Sequence, residues 1–231
     1  MPSMAYSGHV MTENAFVLFF TIAVWRIAVA VERPTVLNQA LLLVAVVVAF
    51  LTKAQAASLL LALPLVVVFA IFAEERATKE FTRSGCLRRL WRFWPLGAVA
   101  ALGLLAIVAR TLAGGWRWNQ LLQAYSVTAD GQYTVQNTSR YFLWHLGEAS
   151  FALGVIPAAA LLVLVGMAIL NRTRSGAERA YLATAVVVLP IVILQVATFT
   201  SYWSQRVSER NMFCVFPIVL IGLALWLDHG L

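Results

Sequence analysis

Long apolar stretches separated by short polar segments make up most of this chain. Most of the stretches approach the ~20 residues that a helix needs to cross a hydrocarbon core. They cover residues 15–31, 38–51, 56–73, 95–113, 145–170, 180–199 and 212–227. The pattern predicts an all-α fold, a polytopic transmembrane bundle of about seven spans that forms a single domain over residues 1–231.

The apolar run over residues 38–73 is interrupted only by the short polar segment at 52–55, Thr-Lys-Ala-Gln. One continuous helix over this run would be ~54 Å long, because an α-helix rises 1.5 Å per residue. A hydrocarbon core is only ~30 Å thick. The length therefore predicts two helices that meet at a tight corner at Lys53.

Basic residues are unevenly distributed between the polar segments. Ten of the 17 Lys and Arg residues fall in alternate segments, and six of these lie in residues 74–94. Short loops rich in Lys and Arg stay on the cytoplasmic side of a membrane. The distribution predicts that 74–94 is a cytoplasmic loop, that 114–140 is an outer loop, and that the chain runs from an outer N-terminus to an inner C-terminus.

The second half of the basic loop, residues 86–94, interleaves arginines with Leu, Trp and Phe. This pattern suits a short interfacial helix whose arginines face anionic lipid. A solvated charge run that only sets the topology is the alternative.

The composition excludes an ordinary soluble domain. Hydrophobic residues make up 61% of the chain and charged residues 12%, whereas a soluble domain has about 25% charged residues. The chain is therefore expected to be a multi-pass protein of the cell membrane, in contact with membrane lipid. The net charge of +7 reflects the basic inner loops and does not indicate a nucleic-acid partner.

The candidate chemistry lies at the predicted outer ends of the helices. Lys53 and the pair Arg206 and Arg210, one helical turn apart, are suited to a lipid phosphate or pyrophosphate. We expect Glu13, Lys53 and one of these arginines to converge on one outer-facing cavity, because charges at the edge of an apolar bundle are costly unless they pair or bind a ligand. The alternative is that each is separately solvated around the rim.

Two further residues, His145 and Glu148, lie one helical turn apart in the first third of the run 141–170. This third is expected to project above the membrane or to line a cavity, and Pro157 is expected to kink the run. Together with Glu13, His145 and Glu148 have the chemistry of metal ligands or of acid and base groups. Two residues do not make a metal site, so no metal site is predicted. No cofactor is evident, and the need for a divalent metal stays open.

Three short motifs occur in order along the chain: AYSGHVMTENAF before the first span, LTKAQA at the corner, and SERNMF before the last span. Together they resemble the GT-C class of polytopic membrane glycosyltransferases, which includes protein O-mannosyltransferases and aminoarabinose transferases. The resemblance is greatest to members of actinobacterial type and covers nearly the whole chain. Motif matching carries over Glu13, Lys53, Gln55, Glu209 and Arg210 as donor-site or acceptor-site groups.

The resemblance implies transfer of a sugar from a polyprenyl-phosphate donor at the outer membrane face, by an inverting displacement. Lys53 and Arg210 would bind the phosphate, and Glu13 and Glu209 would position sugar hydroxyls or orient the two cations. The catalytic Asp that the family carries in its first outer loop has no match here. The resemblance therefore implies an N-terminally truncated or degenerate transferase.

Two alternatives remain open. The chain is a non-catalytic integral membrane protein, either a structural partner or a lipid-binding remnant, if the missing Asp is decisive. A transporter is disfavoured, because the spans contain neither intramembrane carboxylates nor paired broken helices.

Overall fold

The computed structural model describes residues 2–78, 83–113, 131–170, 175–207 and 209–230. About 90% of these residues are helical and none forms a strand, so the predicted all-α class is confirmed. The α-helices are α1 Pro2–Glu32, α2 Val36–Thr52, α3 Ala57–Thr78, α4 Arg83–Trp91, α5 Trp94–Leu112, α6 Val135–Leu153, α7 Val155–Ile169, α8 Gly176–Phe199 and α9 Phe216–Asp228. Short turns at Ala54–Ala56, Thr200–Ser204 and Glu209–Val215 connect some of them.

Five helical segments in the described ranges are long and apolar enough to cross a membrane. They are Glu13–Glu32, Ala54–Glu75, Trp94–Leu112, Gly176–Ser204 and Arg210–Asp228. The bent pair α6 and α7 makes a sixth if it counts as one span. Helix α2 is apolar but has only 17 residues, or ~25 Å. The chain is therefore a multi-pass membrane protein by the length and composition of its helices.

Contacts between helix termini define two ends of the bundle, which we call the Lys53 end and the Arg92 end. At the Lys53 end, the α2–α3 corner meets the start of the last helical segment through Lys53 and Asn211. At the Arg92 end, Gln39 near the start of α2 meets the turn before α5 at Arg92. Helix α2 therefore runs from the Arg92 end to the Lys53 end, and α3 returns, since its residues Ala70 and Glu74 line a cavity with Arg92.

A buried amide fixes the Arg92 end. Gln39 is fully buried, and its Nε2 donates to the Arg92 carbonyl at 2.9 Å and to the Pro34 carbonyl at 3.2 Å. Its Oε1 accepts from the Leu96 N–H at 3.3 Å. This N–H is one that the first turn of α5 leaves without a helical acceptor. Gln39 thus joins α2 to α5, a helix whose candidate span is otherwise unburied.

Helix α8 is the most buried candidate span, with half of its window inside the bundle. It contacts α1, α3, α6 and α7. Small side chains such as Ala183, Ala185 and Ala197 are buried along it. Small residues allow helix backbones to approach closely in a membrane, where the hydrophobic effect does not drive association.

The basic segment 74–94 is more ordered than a loop. Helix α3 continues through Glu74 and Glu75 to Thr78, and α4 folds back against it. Arg89 on α4 lies 3.2 Å from the Glu74 carboxylate and 3.8 Å from that of Glu75, which is 1% exposed. The predicted loop start at 74 is therefore wrong, because these ion pairs let α3 extend past its apolar residues. A short helix is present as predicted, but α4 spans Arg83–Trp91 instead of 86–94.

The span predicted over residues 145–170 is broken into two helices, and the break is not at the predicted residue. The chain bends by 111° between α6 and α7, at Gly154, whose φ is 85° and ψ 145°. Only glycine adopts this region readily. Pro157, where the sequence suggests a kink, lies instead in the first turn of α7, where a missing N–H is tolerated.

Several other helix boundaries also differ from the predicted ones. Helix α1 begins at Pro2, well before the predicted start at residue 15. Helix α8 begins at Gly176, and its helical course continues to Ser204. Of the predicted outer loop 114–140, residues 114–130 lie outside the described residues, and α6 begins at Val135.

The bend at Gly154 gives a stability prediction. Gly154→Ala should destabilise the protein by ~1–3 kcal/mol, the cost of holding a non-glycine residue in this backbone region. A Cβ there meets only the Pro157 Cδ at 3.8 Å, so the cost is conformational and not a clash. Thermal unfolding in detergent, followed by circular dichroism, measures it. Gly166→Ala is the control, since a Cβ at that helical position meets nothing within 4 Å; equal unfolding temperatures for the two variants would contradict the prediction.

Candidate functional site

Lys53 stands at a corner built without glycine or proline. Helix α2 ends at Thr52, and Lys53 is extended, with φ −158° and ψ 126°. The Thr52 hydroxyl donates to the Ala49 carbonyl at 2.6 Å, and the Lys53 N–H donates to the same carbonyl. The Ser58 hydroxyl donates to the Gln55 carbonyl at 2.9 Å as α3 begins. Side chains thus satisfy backbone carbonyls that the break exposes, and the corner predicted at Lys53 is present.

The corner is joined to the start of the last helical segment at Asn211. The buried Gln55 side chain donates from Nε2 to the Asn211 carbonyl at 2.7 Å. Lys53 Nζ donates to Asn211 Oδ1 at 3.2 Å and lies 5.4 Å from the centroid of the Phe16 ring. Three segments that are far apart in sequence therefore meet around one lysine.

An ion pair closes the same region from the side of α1. Arg210 Nε donates to the Glu13 carboxylate. The Glu13 side chain is 14% exposed, whereas that of Arg210 is 48% exposed. The carboxylate is therefore mostly covered, while the guanidinium still reaches the surface. We call Glu13, Lys53, Gln55, Arg210 and Asn211 the polar junction.

Lys53 is a partly dehydrated cation. Burial lowers the pKa of Lys53 below its ordinary value of 10.5, and the nearby Arg210 adds a smaller lowering. The Glu13 carboxylate acts in the opposite direction and favours the protonated amine. Two cations and one carboxylate leave the polar junction with a net positive charge, which suits an anionic ligand.

The structure thus brings together Glu13, Lys53, Gln55 and Arg210 from the sequence-based candidates. Arg206 is not one of the group. It is exposed and lies in the non-helical link before residue 209, so it is not on one helical face with Arg210 as predicted. Glu209 begins the following 3₁₀ turn, and its side chain lies outside the described part of the chain.

His145 and Glu148 lie on α6, one turn apart as predicted. His145 is fully buried, and its Nδ1 lies 2.7 Å from the Tyr141 carbonyl of the preceding turn. The carbonyl accepts, so Nδ1 carries the proton. His145 therefore packs inside the bundle, and the predicted position of this part of α6 above the membrane stays a prediction. In the described ranges, no group of three or more His, Cys, Asp and Glu residues is placed to hold a metal ion.

Asn211 is the member of the polar junction that sequence reasoning missed. It directly follows Arg210 in the SERNMF motif, and an amide at the start of an apolar run is a weak signal. Its importance comes from position: both its carbonyl and its side chain face the α2–α3 corner. Two cavities lie toward the Arg92 end, one between α1, α8 and α9 and one beside Arg89 and Arg92, and neither is lined by Glu13, Lys53 or Arg210. The predicted convergence of these residues is therefore present, while the predicted shared cavity stays a prediction.

No protein-family model, curated protein sequence or solved structure matches this chain. Functional inference therefore depends on the residues themselves and on their arrangement.

The lowered pKa of Lys53 predicts a pH-dependent effect of Lys53→Met. Between the lowered pKa and 10.5 the unfolded chain binds more protons than the folded one, so folding stability of the parent protein rises with pH. The Lys53→Met variant lacks this pH-dependent contribution to folding stability. The difference in unfolding temperature, variant minus parent, should therefore decrease from pH 7 to pH 10. Thermal unfolding across this range measures it, and a constant difference would show that burial does not penalise the charged amine.

Proposed function

We propose that the polar junction binds the phosphate of a polyprenyl-phosphate sugar donor, as part of a GT-C-like glycosyltransferase acting at the outer membrane face. The observation that carries the proposal is the convergence of Lys53, Arg210 and Glu13 at one end of an apolar bundle. These residues come from three segments, and all three are among the five residues that the motif resemblance carries over.

The chemistry of the polar junction supports this ligand. A guanidinium and an ammonium group bind phosphate oxygens as charge-assisted donors. Arg210 is half exposed, so its outward N–H groups are accessible to a headgroup. Glu13 accepts from Arg210 and so orients it, and a carboxylate beside a bound phosphate is also suited to accept from sugar hydroxyls.

In the proposed reaction, an acceptor hydroxyl attacks the anomeric carbon of the donor sugar. The bond from this carbon to the phosphate oxygen breaks, and the polyprenyl phosphate leaves with the electron pair. Lys53 and Arg210 stabilise the negative charge that develops on the leaving phosphate. The proton of the acceptor hydroxyl passes to water, because no described residue of the polar junction is assigned as the base and Glu13 already accepts from Arg210.

We further propose that the chain crosses the membrane seven times, with the Lys53 end outside and the Arg92 end in the cytoplasm. The alternation of helix ends described above and the basic residues of 74–94 support this orientation. Helix α2 counts as a short span, and α7 counts as the crossing segment of the bent pair. Tyr133, just before α6, is hydrogen-bonded to Trp203, so the pair begins at the Lys53 end.

A non-catalytic membrane protein is the second candidate. The direct ion pair between Glu13 and Arg210 favours it, since a pair of this kind also serves to fasten α1 to the segment before α9. In that case the polar junction is a structural clamp, and no phosphate ligand displaces or joins the pair.

Ligand binding separates the two candidates. Undecaprenyl phosphate should bind the purified protein at least about tenfold more tightly than undecaprenol, because one charge-assisted hydrogen bond contributes ~1.5–3 kcal/mol. Lys53→Met and Arg210→Gln should each remove most of that difference. Native mass spectrometry from detergent measures the affinities.

Arg206→Gln is the matched control for this experiment. It removes an exposed cation from the same end of the bundle but outside the polar junction, so phosphate affinity should stay within about threefold of the parent value. Equal loss in Arg206→Gln and Arg210→Gln would indicate diffuse attraction to a basic surface. Equal affinity for the phosphate and the alcohol would support the structural clamp.

The proposed orientation predicts cysteine accessibility. In a background with Cys86→Ser and Cys214→Ala, a membrane-impermeant maleimide should label Gln132→Cys in intact cells, and it should label Ser84→Cys only after permeabilisation. Both positions are exposed in the structure, so the comparison reports the side of the membrane. The reverse pattern would invert the topology and place the polar junction in the cytoplasm.

A further inference from the structure

Arg26 is a cation inside an apolar helix. It lies within the candidate span Glu13–Glu32, six residues before the end of α1 at Glu32. Its Cα is therefore ~9 Å from that end, because an α-helix rises 1.5 Å per residue. An arginine within a transmembrane segment is costly unless it pairs with an anion, reaches the membrane surface or binds a ligand. The contacts of Arg26 distinguish these cases.

Arg26 has only uncharged partners among the described residues. Its Nη2 donates to Asn38 Oδ1 at 3.1 Å, and its Cζ lies 5.4 Å from the centroid of the Trp25 ring. Its Nε is buried and has no hydrogen-bond acceptor. No carboxylate in the described ranges forms an ion pair with it. A guanidinium carries five N–H donors, so one amide oxygen leaves most of these donors unused and the charge without a counterion.

Other partly buried cations of the bundle have a counterion from the protein. Arg89 lies 3.2 Å from the Glu74 carboxylate, and the Glu13 carboxylate stabilises the charged amine of Lys53. Arg26 differs from both, because the described residues supply it with no carboxylate. An anion from the surroundings is the remaining way to compensate this charge.

The guanidinium group of Arg26 points to the membrane surface at the Arg92 end. Asn38, its partner, is the third residue of α2, and the Asn38 Nδ2 donates to the Arg33 carbonyl at 2.8 Å. The side chain of Arg26 thus extends toward the end of its own helix. Trp25 beside it is 57% exposed, and tryptophan is enriched where a membrane meets water. Phosphate groups of phospholipids lie at this level.

The surface next to the guanidinium group is apolar. Leu41 lies one turn after Asn38, on the same side of α2, and it is 43% exposed. Leu37 at the start of α2 is 68% exposed. A phospholipid whose phosphate contacts Arg26 places its acyl chains beside these side chains, whereas a soluble phosphate compound leaves them uncovered. The combination of one uncompensated cation and adjacent apolar surface therefore favours a lipid.

We propose that Arg26 binds the phosphate of an anionic phospholipid, of the phosphatidylglycerol class, in a site completed by Asn38 and Trp25. The remaining N–H donors of the guanidinium group bind phosphate oxygens, and Asn38 fixes the orientation of the group. A zwitterionic headgroup also brings an ammonium, which the guanidinium repels and for which the site has no paired carboxylate. This site is at the opposite end of the bundle from the polar junction and does not depend on the proposed transferase activity.

Lipid affinity tests the role of Arg26. Phosphatidylglycerol and phosphatidylcholine with identical acyl chains are added to the purified, lipid-free full chain in detergent, and native mass spectrometry gives each affinity. Phosphatidylglycerol should bind at least about fivefold more tightly, which corresponds to ~1 kcal/mol. Arg26→Gln should remove this difference. Arg110→Gln is the matched control, because Arg110 is an exposed cation in another candidate span; this variant should stay within about twofold of the parent affinity.

Asn38→Asp tests the uncompensated charge directly. It places a carboxylate at the position to which Arg26 already donates, in the first turn of α2, where a negative charge is favourable. The new ion pair should raise the unfolding temperature of the lipid-free protein. It should also weaken phosphatidylglycerol binding at least about fivefold, because the carboxylate competes with the lipid phosphate. A purely structural contact between Arg26 and Asn38 predicts the higher unfolding temperature with unchanged lipid affinity.

Two further measurements identify the ligand and the site. Glycerol 3-phosphate, which has the phosphate but no acyl chains, should not displace phosphatidylglycerol at millimolar concentration. The effect of Arg26→Gln should persist in a Lys53→Met background, which separates this site from lipid phosphate bound at the polar junction.

Four results would overturn the proposal. They are equal affinity for the two phospholipids, equal effects of Arg26→Gln and Arg110→Gln, unchanged lipid affinity in Asn38→Asp, and loss of the Arg26→Gln effect in the Lys53→Met background. Displacement by glycerol 3-phosphate would overturn the choice of a lipid and indicate a soluble phosphate compound. If Arg26→Gln does not fold, Asn38→Asp keeps the test decisive, because that variant retains the arginine.

Discussion

The hydrogen bond from Gln55 to the Asn211 carbonyl is the contact on which the Lys53 end depends. Inside the bundle, where water is excluded, each backbone carbonyl released by a helix break needs a donor within the protein. The break at Lys53 and the 3₁₀ turn that contains Asn211 both create such carbonyls. One buried amide connects the two irregular segments at 2.7 Å. Lys53 and Arg210 hold their positions because this contact fixes the backbone on either side of them.

Gln39 has the corresponding role at the Arg92 end. Its side-chain amide donates to two backbone carbonyls and accepts from one backbone N–H. Both glutamines lie near an end of α2, so this short helix is held at each end by a side-chain amide. The arrangement accounts for how a helix of 17 residues is held in the bundle. Its position is set by these polar contacts and by its packing on α1, so its length alone does not set how deeply it lies in the membrane.

The sequence predicts the elements that length and apolar pattern control. The break at Lys53 follows from the excess length of residues 38–73, and the all-α class follows from composition. The break at Gly154 was missed because one glycine in an apolar run has no distinctive pattern, and its φ of 85° depends on tertiary packing. The burial of His145 was missed for a similar reason, since periodicity does not show that α6 packs against α8. The convergence of Glu13, Lys53 and Arg210 was predicted from the cost of isolated charges, although neither of the two cavities is lined by them. Asn211 was not predicted, since burying an uncharged amide costs less than burying a charge.

The two ends of the bundle differ in how their charged groups are arranged. At the Lys53 end, two cations surround one covered carboxylate, and burial lowers the pKa of the lysine. The desolvation penalty on the charged Lys53 amine lowers the stability of the folded protein unless a ligand or partner offsets it, and binding sites commonly carry such a cost. At the Arg92 end, one cavity is lined by Arg89, Arg92 and Arg179 together with Glu32 and Glu74, so cations and carboxylates are mixed there. A partly buried cation beside one shared carboxylate therefore distinguishes the Lys53 end, and an anionic ligand complements this arrangement.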